Sequence, residues 1–110
     1  MALIEEEWEL PPVTVQAKIG EKSINALVDS GADESYIHWK TVAKLNMPTN
    51  KKKEPYKLHG IGGKEVSYNK GTVMHETSPI AIFLNGKKQR EKFDITELGE
   101  HQLILGRRWL

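Results

Sequence analysis

Leu27-Val28-Asp29-Ser30-Gly31-Ala32-Asp33 is the stretch on which the reading of the fold turns. Ala26-Leu27-Val28 is a continuous apolar run, the pattern of a strand buried on both faces. It meets the polar turn Asp29-Ser30-Gly31 directly, with no spacer. An Asp-Ser/Thr-Gly triplet arises by chance in a chain of this length at about a few per cent. Asp, Ser and Gly are also ordinary strand-ending turn residues. The triplet therefore gains its meaning from what surrounds it.

Upstream, Val13, Val15, Ala17 and Ile19 alternate with polar residues, the period-2 signature of a half-buried strand. Gly20-Glu21-Lys22 supplies a turn, and Ser23 to Val28 returns with Ile24, Ala26 and Val28 on one face, which predicts a β-hairpin. Downstream, Tyr36-Ile37 begins another short strand. His38 to Leu45 reads as a short helix through Trp39, Val42 and Leu45, with Asn46 and Pro48 as stop signals. Lys51-Lys52-Lys53 reads as a solvated loop. His59-Gly60-Ile61-Gly62-Gly63-Lys64, flanked by Tyr56, Leu58, Val66 and Tyr68, predicts a hairpin with a sterically open tip. Ile80, Ile82 and Leu84 alternate before Asn85-Gly86, a type I′ turn signal, with Phe93 and Ile95 expected on the return strand. Leu103-Ile104-Leu105-Gly106 closes the pattern as a buried strand ending in glycine. About seven short strands and one short helix predict an all-β, barrel-like domain over residues 13–110. Residues 1–12, four glutamates among Leu3, Ile4, Trp8 and Leu10 before Pro11-Pro12, read as an arm that packs elsewhere or frays.

Composition narrows the function. The 110 residues fit one domain, and 16 Lys+Arg against 15 Asp+Glu leave a net charge of +1, with no strong field toward nucleic acid or membrane. The absence of cysteine excludes a disulfide framework, thiol catalysis and cysteine-ligated zinc. No apolar run approaches the roughly 20 residues of a membrane span. The N-terminus lacks the basic start and long apolar stretch of a signal peptide, so a soluble intracellular domain is expected.

Other motifs fail on inspection. Gly60-Ile61-Gly62-Gly63-Lys64-Glu65 is too short for a phosphate loop and has Glu65 where a magnesium-ligating hydroxyl is needed. His75-Glu76 begins a zinc-protease pattern, yet Pro79 stands where its second histidine belongs. His38, His59, His75 and His101 share no ligand spacing, and no Gly-x-Ser-x-Gly elbow presents a serine nucleophile. No metal or cofactor is expected.

Taken in order, the Asp-Ser-Gly turn after a buried strand, the glycine-rich hairpin and the ending Ile104-Leu105-Gly106-Arg107 with Trp109-Leu110 resemble the retropepsins. These are the single-lobe aspartic proteases of retroviruses and related retrotransposons. Tyr36-Ile37 and Ala43-Lys44-Leu45-Asn46-Met47-Pro48 are most similar to the gypsy-class retrotransposon enzymes. The resemblance runs from about Val13 to Leu110. It implies a closed barrel with a flap hairpin and one short helix, and an endopeptidase acting on a retroelement polyprotein in the cytoplasm or within virus-like particles.

Because the chain holds one Asp-Ser-Gly, the resemblance also implies a homodimer in which Asp29 of each copy meets its mate across a two-fold axis. Asp29 would be the catalytic acid/base. Ser30 would brace the pair by hydrogen bonding near the partner's Val28 carbonyl, and Gly31 would admit substrate backbone. Ala32 and Asp33 would line the pocket and bind substrate main chain, with Arg107 holding the loop through Asp33. Gly60, Ile61 and Gly62 would close over an extended peptide, and Ile104 would line a side-chain pocket or simply pack in the core. Retroviral members continue past the closing motif with a helix and an interleaving strand. The sequence ends at Leu110, so residues 1–10 are expected to carry more of the interface, or dimerisation to be weak, or precursor sequence to follow. A cellular protease domesticated from such an element, or a non-catalytic dimerisation and peptide-binding module, would share these features.

Overall fold

Side chains that alternate along the central strands bury two different clusters, and this shapes the protein. The computed structural model describes residues 13–58, 60, 61, 64, 65 and 68–107. The 1–12 arm, His59, Gly62, Gly63, Val66 and Trp109-Leu110 lie outside the described residues. Strands β1 (Val13–Ile19) and β2 (Lys22–Val28) form the expected hairpin, in register from Val13↔Val28 to Ile19↔Lys22. β3 (Tyr36–His38) leads into α1 (Trp39–Lys44). Next come β4 (Thr49–Lys57), the short pair β5 (Gly60–Ile61) and β6 (Lys64–Glu65), and a 3-10 turn at Tyr68–Gly71. β7 (Thr72–Thr77), β8 (Ile80–Leu84), β9 (Lys87–Glu91), β10 (Asp94–Thr96) and β11 (Leu103–Leu105) complete the chain.

Nine of these strands join one sheet in the order β4-β7-β10-β3-β11-β2-β1-β8-β9, and β5 and β6 pair separately. β11 lies between β2 and β3, parallel to the first and antiparallel to the second. On β11, Leu103 and Leu105 enter one cluster with Ala26, Ile37, Ile82 and Phe93, whereas Ile104 turns into a second with Leu27, Ala32, Tyr36 and Leu98. The same alternation splits Ala26 from Leu27 and Ile37 from Tyr36. Residues 26–27 of β2 and 103–105 of β11 have no solvent face, which is why those stretches read as unbroken apolar runs. Each fully buried large side chain among them contributes about 1.5–3 kcal/mol. The architecture is the all-β, single-helix fold that the sequence predicts.

The helix starts where His38 Nδ1 accepts the Lys40 N–H at 3.0 Å, and it closes at Asn46, whose φ of 53° is left-handed. His38 is buried, and its Nε2 meets Glu97 Oε2 at 2.9 Å. The Trp39 indole N–H donates to Glu97 Oε1 at 2.9 Å, and the Trp39 ring stacks on Tyr68 at 5.8 Å. Glu97 thus holds the helix start, whose tryptophan also packs on the turn that follows the glycine hairpin.

Three local expectations need correction. Lys51-Lys52-Lys53 lies within strand β4, because Lys52 carries its ammonium inward to Asp94 and Glu76. The return strand after Asn85-Gly86 is the polar β9, while Phe93 precedes β10 and Ile95 lies on it, pairing with β3 and β7. Tyr68 lies in the 3-10 turn and not on a hairpin arm. No described helix is long and apolar enough to cross a membrane.

Candidate active site

The turn carrying Asp29 is built between two strands that its own backbone links. The Asp29 N–H donates to the Leu105 carbonyl at 2.9 Å, so the aspartate leaves β2 while still tied to β11. The Ala32 N–H returns to the Asp29 carbonyl at 3.1 Å, closing a four-residue turn. Within it the Gly31 N–H donates to Asp29 Oδ1 at 3.0 Å. This local hydrogen bond is one reason Asp and Gly suit the turn. A Cβ at Gly31 would stand 3.3 Å from the same oxygen. The half-buried carboxylate is therefore oriented by main chain, and Ser30 and Gly31 beside it are exposed.

A second wall of contacts comes from the closing motif. The Arg107 N–H donates to the Ala32 carbonyl at 2.8 Å, and the Arg107 guanidinium pairs with the Asp33 carboxylate, both side chains standing largely in solvent. A Cβ at Gly106 would overlap the Glu34 carbonyl oxygen and lie 2.8 Å from that of Ala32. Those neighbours are backbone, so only glycine fits. The Gly106 N–H donates to the buried Ser35 hydroxyl at 3.0 Å.

Asp29, Ala32 and Asp33 are thus bonded directly to Leu105 and Arg107, and Ser30 and Gly31 lie on the turn between them. Ile104 is fully buried beneath the turn with Ala32, Leu27 and Tyr36, its core-packing role in the single chain. Gly60 and Ile61 form β5 and pair with Glu65 and Lys64. Gly62 lies outside the described residues. No cluster of three or more metal-ligating side chains occurs among the described residues.

Sequence reading missed a second polar group. Asp94 is buried, accepts Lys52 Nζ at 2.9 Å through Oδ1, and accepts the Tyr56 hydroxyl through Oδ2. Tyr36 and Tyr56 hydroxyls lie 3.4 Å apart. Burial, then the bond to Asp94, push the Tyr56 hydroxyl far above its ordinary range. Burial would lower the Lys52 ammonium, but Asp94 and Glu76 outweigh it and raise the group. A lysine run and an isolated aspartate gave no signal of this pairing, because its members are separated by up to 42 residues.

A sheet of this order with an Asp-Ser-Gly turn locked onto a closing Ile-Leu-Gly strand defines the retropepsin-like class of protease domains. The family model described as the PEG10/RTL1 protease domain matches residues 25–110, and the chain belongs to that family. Among solved structures, the chain is similar to EIAV protease complexed with the inhibitor HBY-793, at 24% identity and a TM-score of 0.66, covering 91% of this chain and 86% of that one. It is also similar to the retroviral protease-like domain of Ddi1 from Leishmania major, at 21% identity and a TM-score of 0.59, covering 90% of this chain and 75% of that one.

Proposed function

We propose that residues 13–110 form an aspartic endopeptidase that acts as a homodimer, with Asp29 of each copy supplying one half of the catalytic pair. The observation that carries this reading is the main-chain-oriented Asp29 carboxylate in a chain that contains a single Asp-Ser-Gly. Hydrolysis of an amide without metal or covalent nucleophile needs a base for water and an acid for the carbonyl oxygen and the departing amine. Two carboxylates about 3 Å apart repel by roughly 5 kcal/mol at an effective dielectric near 20, so a pair retains one proton between them. Aspartic proteases as a class share a proton in this way, and the same rule applies to a pair of Asp29 side chains.

In that arrangement the ionised aspartate takes a proton from water as the water oxygen bonds to the carbonyl carbon. The protonated aspartate gives its proton to the carbonyl oxygen. Collapse of the resulting diol breaks the C–N bond as the amine nitrogen takes the proton of one aspartate and a diol hydroxyl returns its proton to the other. Ser30 braces the pair across the two-fold axis, Gly31 and Asp33 contact substrate backbone, and the glycine hairpin covers an extended peptide laid down as an added strand. The substrate class proposed is an extended segment of a retroelement-type polyprotein.

Replacing Asp29 by Asn tests the reading. Cleavage of a peptide library by the wild-type chain and its loss in Asp29→Asn support it, with sedimentation expected to show a dimer that a peptidomimetic inhibitor strengthens. Cleavage that survives Asp29→Asn removes the enzyme assignment. Peptide binding by a wild-type chain that never cleaves replaces it with a binding module.

A further inference from the structure

β4 and β7 are out of step just below the glycine hairpin. Their register runs Thr49↔Thr77, Asn50↔Glu76 and Lys51↔His75, then resumes at Tyr56↔Val73 and Lys57↔Thr72. Residues 52–55 of β4 therefore stand opposite Met74 alone. A bulge of this size removes ladder hydrogen bonds and lets the strand bend. Above it, Tyr56 to Leu58 lead into β5, with the Leu58 N–H held by the Gly71 carbonyl at 2.7 Å.

The two ends of the bulge are tied to one carboxylate. Lys52 opens it and Tyr56 follows it, and both bond to Asp94, one on each oxygen. Lys52 also reaches Glu76 at 3.3 Å and lies 5.6 Å from the centre of the Tyr56 ring. Asp94 is itself anchored to the segment that follows the Asp29 turn. Its N–H donates to the Ser35 carbonyl at 3.1 Å and it pairs with Tyr36 on β3, the strand that leaves the Asp29 turn. A continuous path of hydrogen bonds thus runs from Ser35 through Asp94 to both sides of the bulge.

We propose that Asp94 is a positioning residue whose carboxylate, by clamping Lys52 and Tyr56 together across the β4 bulge, fixes how β4 delivers the chain to the β5–β6 pair. The effect on substrate rests on the endopeptidase reading; the clamp itself does not. A carboxylate that merely stabilised the core would not couple to the β4 and β7 ends beside β5 more than to the rest of the sheet.

The test compares Tyr56→Phe and Asp94→Asn with Ile82→Val, a core change remote from the clamp, in the full chain. Amide hydrogen exchange at Lys57, Leu58, Thr72 and Val73 is expected to quicken about tenfold in Tyr56→Phe, as loss of one hydrogen bond to a buried charge implies, while β1 and β2 keep their wild-type rates. Asp94→Asn should quicken it further. On peptide substrate KM should rise about tenfold with kcat little changed, and Ile82→Val should leave KM as it was. Unchanged exchange at those four amides in both clamp variants overturns the proposal, as does acceleration spread evenly through the sheet. A raised exchange rate with KM no different from that of Ile82→Val also overturns it. Should the wild-type chain cleave nothing, the endopeptidase reading fails and the exchange comparison alone decides the clamp.

Discussion

Gly106 sits so close to Glu34 that a single added carbon would overlap the Glu34 carbonyl oxygen. The closing strand is thereby pressed against the segment that follows the Asp29 turn, and the Gly106 N–H uses that proximity to reach the Ser35 hydroxyl. Gly106→Ala has no flexible side chain to push aside. It is expected to destabilise the protein by about 3 kcal/mol through forced backbone movement, read as a lower denaturation midpoint at fixed protein concentration. Wild-type stability in this variant would show that the two segments can separate freely.

His38 offers a test of the helix start. Nδ1 is occupied as an acceptor of the Lys40 N–H, so the neutral ring carries its hydrogen on Nε2 and donates to Glu97. His38→Ala removes both bonds and is expected to cost about 2 kcal/mol, whereas His38→Asn keeps a capping oxygen and should recover about 1 kcal/mol of that loss. Urea denaturation of the two variants measures the difference. Equal losses would mean the cap contributes nothing.

Much of this could be read in advance, and what escaped has a common cause. Alternation on β1 and β2 and the apolar runs at 26–28 and 103–105 were legible because burial of one or both faces is written into hydropathy. Asn85-Gly86 was legible as a turn, and both residues take positive φ, 53° and 78°. β4 was not, because Lys52 satisfies its charge on partners 24 and 42 residues away, a pairing that local composition does not encode. β9 was not, because an outer strand needs no apolar face. His38 gave no sign of its role either, since Glu97 is 59 residues distant. The Asp29 turn was legible down to its residues, while the Asp94 clamp was invisible.

Acid should loosen the Glu97 junction. The Trp39 N–H is the largest influence holding the Glu97 carboxyl below its usual range; burial opposes it, and His38 and the Gly99 N–H add to the lowering. A carboxyl lowered in the folded state stabilises the fold above its unfolded pKa, about 4.3, and that stability is lost as pH falls through the lowered folded value. Glu97→Gln should therefore flatten the acid limb of a stability–pH curve below about pH 4 while leaving its slope near neutrality unchanged. An acid limb identical to wild type would assign acid sensitivity to other groups.

Peptide cleavage by the proposed pair needs one proton shared between two aspartates. The rate is expected to be greatest at mildly acidic pH and to decline on either side, as shown by kcat/KM across a buffer series. A rate that climbs steadily above about pH 8 contradicts a shared-proton mechanism.

β9, one of the two outer strands of the sheet, has its own consequence for how the molecule behaves in a crowd. Lys87, Lys88 and Arg90 lie exposed along a strand bonded on one side to β8. An uncovered rim of backbone donors and acceptors invites another chain to continue the ladder, and a row of like charges makes such an approach costly. Three cations there turn a potential seed for fibrous stacking into a terminus, so that self-association is steered away from this border.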